Sequence, residues 1–304
     1  MKYDSLEISR IIGEPNDPRR RYPLLVNDVC NVDSADPNEY VYQFDVLLET
    51  DKVYIITATG AVTTENVATD TPVEISFADI ATPEYYVKII DLAKAKERVL
   101  ARKNKTINRA LNAEENYRVI TLLDAAAIAR GNINDLKSGE LSFNYAHLID
   151  MIDQVIDYSE DYVLVAGTQI DKDIKLWDWT DDKHHSLKEA FADLGVTVRR
   201  VKQTVTRDGS STTVLGSNLC YLAGTITELP GKPLLFVRKR MNEIDRLGGI
   251  ISTTGDQAER LVFTSPNPVQ VSTTRYLAVG LTGYEEVAIA TQNSYAISKF
   301  ERTV

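Results

Sequence analysis

The 304-residue sequence holds only two cysteines, three histidines and two tryptophans. It also lacks any apolar run near the roughly eighteen residues that a membrane span requires. Cys30 and Cys220 lie far apart, so neither a disulfide framework nor a paired zinc knuckle can be read from them, and both are expected to be reduced packing residues. The opening segment MKYDSLEISRII carries acids where a signal peptide needs a basic and then an apolar stretch. A soluble chain made in a cytoplasm, with no membrane partner, is the expectation. A basic balance is missing too: the net charge of −10 argues against a free-standing nucleic-acid binder, which needs a basic face for phosphate contacts.

What is present is ordinary globular composition, 43% hydrophobic and 26% charged, which excludes disorder throughout. The charge is unevenly spread. Residues 111–195 carry 7 basic and 17 acidic side chains, whereas 88–109 alone holds eight Lys or Arg against two acids. One basic helix therefore stands out of an acidic chain. It is open to two readings, an exposed helix held by local pairs such as Asp91 with Lys94 or a face turned toward a polyanion. Arg19, Arg20 and Arg21 divide in the same way between a tail that pairs with acidic neighbours and a nucleic-acid contact.

Along the chain, residues 1–40 show no period and contain Pro15, Pro18, Pro23 and Pro37, which predicts an extended arm with no core of its own. From Tyr40 to Phe77 the texture becomes Val, Ile, Tyr and Thr with polar breaks, which predicts a long β-hairpin that must lie on something, because two strands alone are marginal in water. Pro83 behind Thr82 predicts a helix start, and apolar residues then recur at three and four through Leu100. A second helix is expected to open at Asn112, with Glu115 as capping-box partner, and to stop at Gly131; a third is expected over about 142–158. The later strands are expected at 162–167, 196–205, 218–226 and 233–241, with a helix over 186–195 and a hairpin turn at Asp208-Gly209. The closing segment reads as two strands on either side of a Gly283-Tyr284-Glu285-Glu286 turn. This mixture predicts an α/β or α+β chain.

Chemical constellations are weak. The stretch DDKHH places His184 and His185 beside Asp181 and Asp182, but adjacent histidines face different sides of a helix, whereas helical zinc sites use spacings of three or four. His147 reads as a helix-packing residue. Asp150, Asp153 and Asp157 repeat at helical spacing opposite the apolar stripe and read as a solvated face. LPGKP (229–233) fails the phosphate-loop spacing, and LGSNLC (215–220) is no nucleophile elbow. Asp171 and Asp173 could form an acid pair, with nothing to promote them above a loop. No catalytic, cofactor-binding or metal-ligating residue is assigned, no cofactor is expected, and the chain reads as no enzyme.

The order of parts carries more than any motif. The hairpin 40–78 before helices over 83–130, the stretch SLKEAFADLGVTVRRV (186–201) and the closing VGLTGYEEVAIATQNSYAISKF (279–300) together resemble the major capsid protein of tailed bacteriophages, a fold shared by encapsulin shells. The resemblance covers nearly the whole chain, in a family that has no invariant motif. It implies an α+β fold with 1–39 as N-terminal arm and 40–79 as an extended hairpin, the E-loop. Residues 80–130 and 271–304 would form a peripheral domain with a long spine helix, and 131–270 mainly an axial domain. It implies hexamers and pentamers closing into an icosahedral virion shell around double-stranded DNA contacted non-specifically, assembled in the host cytoplasm. Partners would be other copies of the chain, a separate scaffolding protein, a portal and decoration proteins. Some members cross-link through an E-loop lysine; Lys52 is the one lysine of this hairpin, and no partner for it is named. The alternatives are an encapsulin-like compartment and, from another class, a metal-dependent α/β hydrolase using Asp171 and Asp173 or the 181–185 cluster.

Overall fold

A computed structural model describes residues 24–46, 71–136, 140–177, 187–201, 204–207, 209–227, 231–242, 250–252, 257–264, 269–270 and 277–302. Two sheets share one long helix. In the first sheet, strands Cys30–Ala35, Leu234–Lys239, Leu277–Thr291, Leu261–Thr264 and Ile250–Ser252 lie in that order, and Ala78–Ala81, Tyr85–Lys88 and Val269–Gln270 also pair with the 15-residue strand Leu277–Thr291. The second sheet runs Ile133–Asp135, Ile297–Glu301, Leu219–Thr225, Asp161–Ala166, Val196–Arg199.

The helix Ile89–Arg130 spans 42 residues, with one non-helical residue, Ala95, near its start. Its buried stripe repeats every four residues: Ile107, Leu111, Glu115, Val119, Leu123 and Ala127. This corrects the expected break at Asn112. A carboxylate in the middle of an apolar stripe looks like a capping residue in sequence, yet Glu115 is fully buried inside a helix that continues past Asn112 from residue 96 to Arg130. Pro83 likewise starts no helix. Thr82 and Gly283 bond to each other, the Thr82 N–H donating to the Gly283 carbonyl and the Gly283 N–H to the Thr82 hydroxyl, both at 2.8 Å, and Tyr85–Lys88 continues as strand. The far end matches expectation, since Gly131 takes φ 80° and its N–H reaches the carbonyls of Ala127 and Ile128.

The expected turn at 283–286 does not exist; the strand runs through it. Gly283 serves close approach instead. A Cβ there would overlap the Cγ2 of Ile107, where the helix crosses the sheet. After Thr291 a short 3₁₀ turn, Ser294–Ala296, carries the chain into the second sheet, so the closing strands are split between two sheets.

Strand alternation then divides the core. Val163, Val165, Tyr221 and Ala223 face the long helix and join Leu25, Val26, Val29, Phe236, Leu281 and Val287 around it. Leu164, Ala166, Cys220, Leu222 and Phe300 face the opposite way, under helices Tyr145–Asp153, Thr168–Lys175 and Leu187–Asp193. The helix expected over 142–158 is shorter: Asn144 caps it in a capping box with His147, and a 3₁₀ turn, Ile156–Tyr158, follows. The strand expected over 196–205 is divided between Val196–Arg199 in the second sheet and Thr204–Arg207, which forms the expected hairpin with Ser210–Thr213.

Residues 24–35 depart from the arm expected over 1–39. Leu25, Val26, Val29 and Cys30 are wholly buried, and Cys30–Ala35 pairs in parallel with Leu234–Lys239. Apolar side chains spaced for one helical turn and then a strand found a place in the body, despite the prolines on either side. Residues 1–23, with Arg19, Arg20 and Arg21, lie outside the described residues. Both cysteines are free and buried, and burial pushes both thiols far up, as packing residues require.

Gly283→Ala is expected to destabilise the fold by about 1–3 kcal/mol, because Ile107 is fully buried and cannot yield to the added methyl. A denaturant melt that leaves the midpoint unchanged would contradict the close approach.

Candidate functional site

The described part of the hairpin is its base, Val41–Val46 antiparallel to Thr71–Ser76. Tyr42, Phe44, Ile75 and Phe77 lie on Ala35, Leu235, Val237 and Ala288, on the face of the first sheet away from the long helix. Polar anchors surround this contact. The Tyr42 hydroxyl donates to Asp33, and burial together with that bond pushes the phenol up to about 12. Lys239 Nζ lies 3.0 Å from Glu286 and sits 5.4 Å and 5.5 Å from the ring centroids of Tyr40 and Phe77. Tyr284 donates to Asp79 at 2.8 Å and contacts Glu286 at 3.1 Å. The hairpin is thus gripped at its root, as the sequence required. Its further part, including Lys52, lies outside the described residues.

Beneath the same sheet, on the helix side, four charges meet out of water. Glu115 Oε1 lies 2.9 Å from Arg238 Nε and 2.9 Å from Arg260 Nη2, and Arg260 Nε lies 2.6 Å from Glu285 Oε2. Glu115 and Glu285 are both wholly buried. Glu259, 3.8 Å from Arg238 Nη1 and hydrogen-bonded by Ser34, adds a third carboxylate at the edge. Three carboxylates thus face two guanidiniums, one negative charge in excess. Desolvation first and the neighbouring Glu115 second push Glu285 up to about 7, against an ordinary 4.5, while the arginines pull the other way. The second oxygens of Glu115 and Glu285 accept no hydrogen bond among the described residues, which leaves room for that proton.

The sequence pointed to none of these as a cluster. A signal existed in each case: Glu115 sits four residues from both Leu111 and Val119 on an apolar stripe, and Glu285 occupies an inward strand position two before Val287.

The candidate chemical residues are placed otherwise. Asp171 and Asp173 lie on helix Thr168–Lys175, not in a loop. Asp171 pairs with Lys175 at 2.8 Å and with Arg200, while buried Asp173 accepts from the Phe143 N–H at 3.0 Å and from Arg302 at 3.2 Å. Both carboxylates are committed to holding the body together and form no acid pair. His147 packs as expected, buried, with Nδ1 accepting from the Asn144 N–H at 3.2 Å and Nε2 2.6 Å from Glu140. Asp153 and Asp157 are exposed, as a solvated face requires, and Asp150 is half-buried. Asp181, Asp182, His184 and His185 lie outside the described residues. The basic segment 88–109 forms the first half of the long helix and its entry, with Lys88, Lys94, Arg102 and Arg109 exposed.

No protein-family model matches the chain, and no curated protein matches it in sequence. Its shape does match solved structures. The capsid structure of the cyanophage P-SCSP1u is similar at a TM-score of 0.58 and 11% identity, over 96% of this chain and 91% of that one. A structure from Microbacterium phage Oxtober96 is similar at 0.60 and 12% identity, over 99% of each chain. The crystal structure of a phage-related protein from Bordetella bronchiseptica is similar at 0.56 and 12% identity, over 93% of each. The chain has an α+β fold, the fold of these phage structures, as the order of its parts implied.

Two outcomes are expected of the charge cluster. Arg260→Ala takes the guanidinium from Glu285 and one of the two from Glu115, and should cost about 3–5 kcal/mol in a denaturant melt. Folded Glu285 keeps its proton to about pH 7, whereas the ordinary value is 4.5. The stability it contributes is therefore complete below about 4.5 and is lost as pH rises through 7. Relative to Glu285→Gln, the wild-type melting temperature should fall between pH 5 and pH 8; parallel profiles for the two proteins would contradict this.

Proposed function

We propose that the chain is the major capsid protein of a tailed bacteriophage, forming hexamers and pentamers that close into an icosahedral shell around double-stranded DNA. The observation that carries this reading is end-to-end likeness: more than nine-tenths of this chain and of each phage structure superimpose, a capsid structure among them. A hairpin rooted on the sheet by aromatic, lysine and tyrosine contacts also supports it, since such a root suits an element that bears load away from its own body.

In this reading 40–79 is the E-loop, reaching a neighbouring copy. Residues 1–23 form the arm, and 24–35 belong to the body. The long helix and first sheet make the peripheral domain, and the second sheet with its helices makes the axial domain. The strand Ile297–Glu301 then belongs to the axial side, although the rest of 271–304 is peripheral. The chain acts as a structural protein of the virion and not as an enzyme, is made and assembled in the host cytoplasm, and meets a separate scaffolding protein, a portal and decoration proteins. DNA is contacted without sequence preference, and the net charge of −10 keeps the wall from gripping it.

Electron microscopy and size-exclusion chromatography of the expressed chain test the proposal. Shells with five- and sixfold capsomers, carrying DNA when isolated from virions, are expected. Shells loaded with protein would instead indicate an encapsulin-like compartment. A sharp monomer peak with a metal-dependent hydrolytic activity lost on Asp181→Ala or His184→Ala would overturn it.

A further inference from the structure

The buried charge cluster and the hairpin root are held by the same short piece of one strand. Tyr284, Glu285, Glu286 and Val287 pair in antiparallel register with Ala81, Ile80, Asp79 and Ala78. Ala78–Ala81 follows the returning strand of the hairpin, Thr71–Ser76, with only Phe77 between them. Side chains reinforce this ladder on the hairpin face, where Tyr284 donates to Asp79 and Glu286 holds Lys239 beside Tyr40 and Phe77. On the other face Glu285 enters the cluster. Anything that displaces Glu285 must therefore move the backbone to which the hairpin is tied.

The cluster is complete only with one proton. Glu285 is faced by Glu115 from the long helix, by Arg238 from Leu234–Lys239, and by Arg260, with Glu259 at the edge, from the residues leading into Leu261–Thr264. Ala78–Ala81 presents apolar Ile80 opposite it, and Cys30–Ala35 presents the buried Cys30 thiol, within the field of Glu115 and Arg238. Tyr85–Lys88 and Val269–Gln270 pair with the same strand further back, at 277–281. The next cation along Leu234–Lys239 is Lys239, which is held on the opposite face by Glu286. Two guanidiniums thus answer three carboxylates, and Glu115 and Glu285 each keep one buried oxygen without a hydrogen-bond partner among the described residues. A proton on Glu285 removes the excess charge, and without it an uncompensated buried charge remains. Burial first and Glu115 second raise the Glu285 carboxyl to about 7, in keeping with that count.

We propose that the cluster is a proton-operated latch on the hairpin root: with Glu285 protonated, residues 284–287 stay seated against the helix and hold Ala78–Ala81, and loss of the proton lets that ladder open. Opening brings Glu285 to water, where it gives up its proton at the ordinary value of 4.5. The proton's contribution to the closed state is complete below 4.5, is lost as pH rises through 7 and changes no further above that. One proton released per opening raises the opening constant about tenfold per pH unit across this window. The latch does not depend on the capsid reading. In a shell it would set how firmly each subunit holds the element that reaches its neighbour.

Amide hydrogen exchange of the full-length chain between about pH 5 and pH 8, corrected for the intrinsic pH dependence of exchange, tests this. Amides of 78–81, 284–287 and the hairpin base 41–46 are expected to lose protection about tenfold per pH unit up to 7 and then level off. Those of the second sheet, at 161–166 and 219–225, should hold theirs. Glu285→Gln should flatten the profile at the root. Protection at 78–81 and 284–287 that ignores pH overturns the latch. So does protection that falls equally in both sheets, which would mark the cluster as a contributor to global stability alone. If Glu285→Gln does not fold, the contrast between the two sheets in the wild-type chain still decides. Neither result bears on whether the chain builds shells.

Discussion

A long helix can lie across a sheet with a glutamate on its buried stripe only if something neutralises that glutamate. Glu115 is the point at which helix and sheet must agree. Arg238 from one strand and Arg260 beside another reach it at 2.9 Å each, and Arg260 carries on to Glu285 on the 15-residue strand. Three separate stretches of chain are thereby forced into one register under the helix. A sliding of the helix by one turn would leave buried charges unpaired, which is far more costly than misplacing a leucine. Apolar packing around Ile107, Leu111, Val119 and Leu123 supplies most of the adhesion, and the charge cluster supplies the uniqueness of the fit.

The same strand that offers Glu285 to the helix offers Glu286 to the other face. There Glu286 pairs with Lys239, whose ammonium also lies near Tyr40 and Phe77 of the hairpin root. Alternation along one strand therefore couples the helix below the sheet to the projection above it. In the proposed shell, load applied to the hairpin would be delivered to the sheet at the residue next to the buried cluster.

Much of the architecture was legible because it is local. The Gly131 stop, the hairpin of Thr204–Arg207 with Ser210–Thr213, the buried strand at 161–166 and the apolar strands at 219–225 and 234–239 are each signalled by a few neighbouring residues. What could not be read were the places where a residue answers to something distant. Gly283 looked like a turn because glycine permits one, yet its missing side chain admits Ile107, 176 positions earlier. Glu115 looked like a cap because carboxylates seldom lie in a core, and nothing nearby announces Arg238 or Arg260.

The sequence alone determined the order of hairpin, helix and α+β body and the separation of basic from acidic stretches, since periodicity and charge are properties of neighbours along the chain. Tertiary structure alone decided that residues 24–35 belong to the core, that the helix runs through Asn112 to Arg130, that the closing segment serves two sheets, and that Asp171 and Asp173 act as struts. The physical reason is that burial and pairing depend on partners a hundred or more residues away, and their free energy exists only once those partners have met.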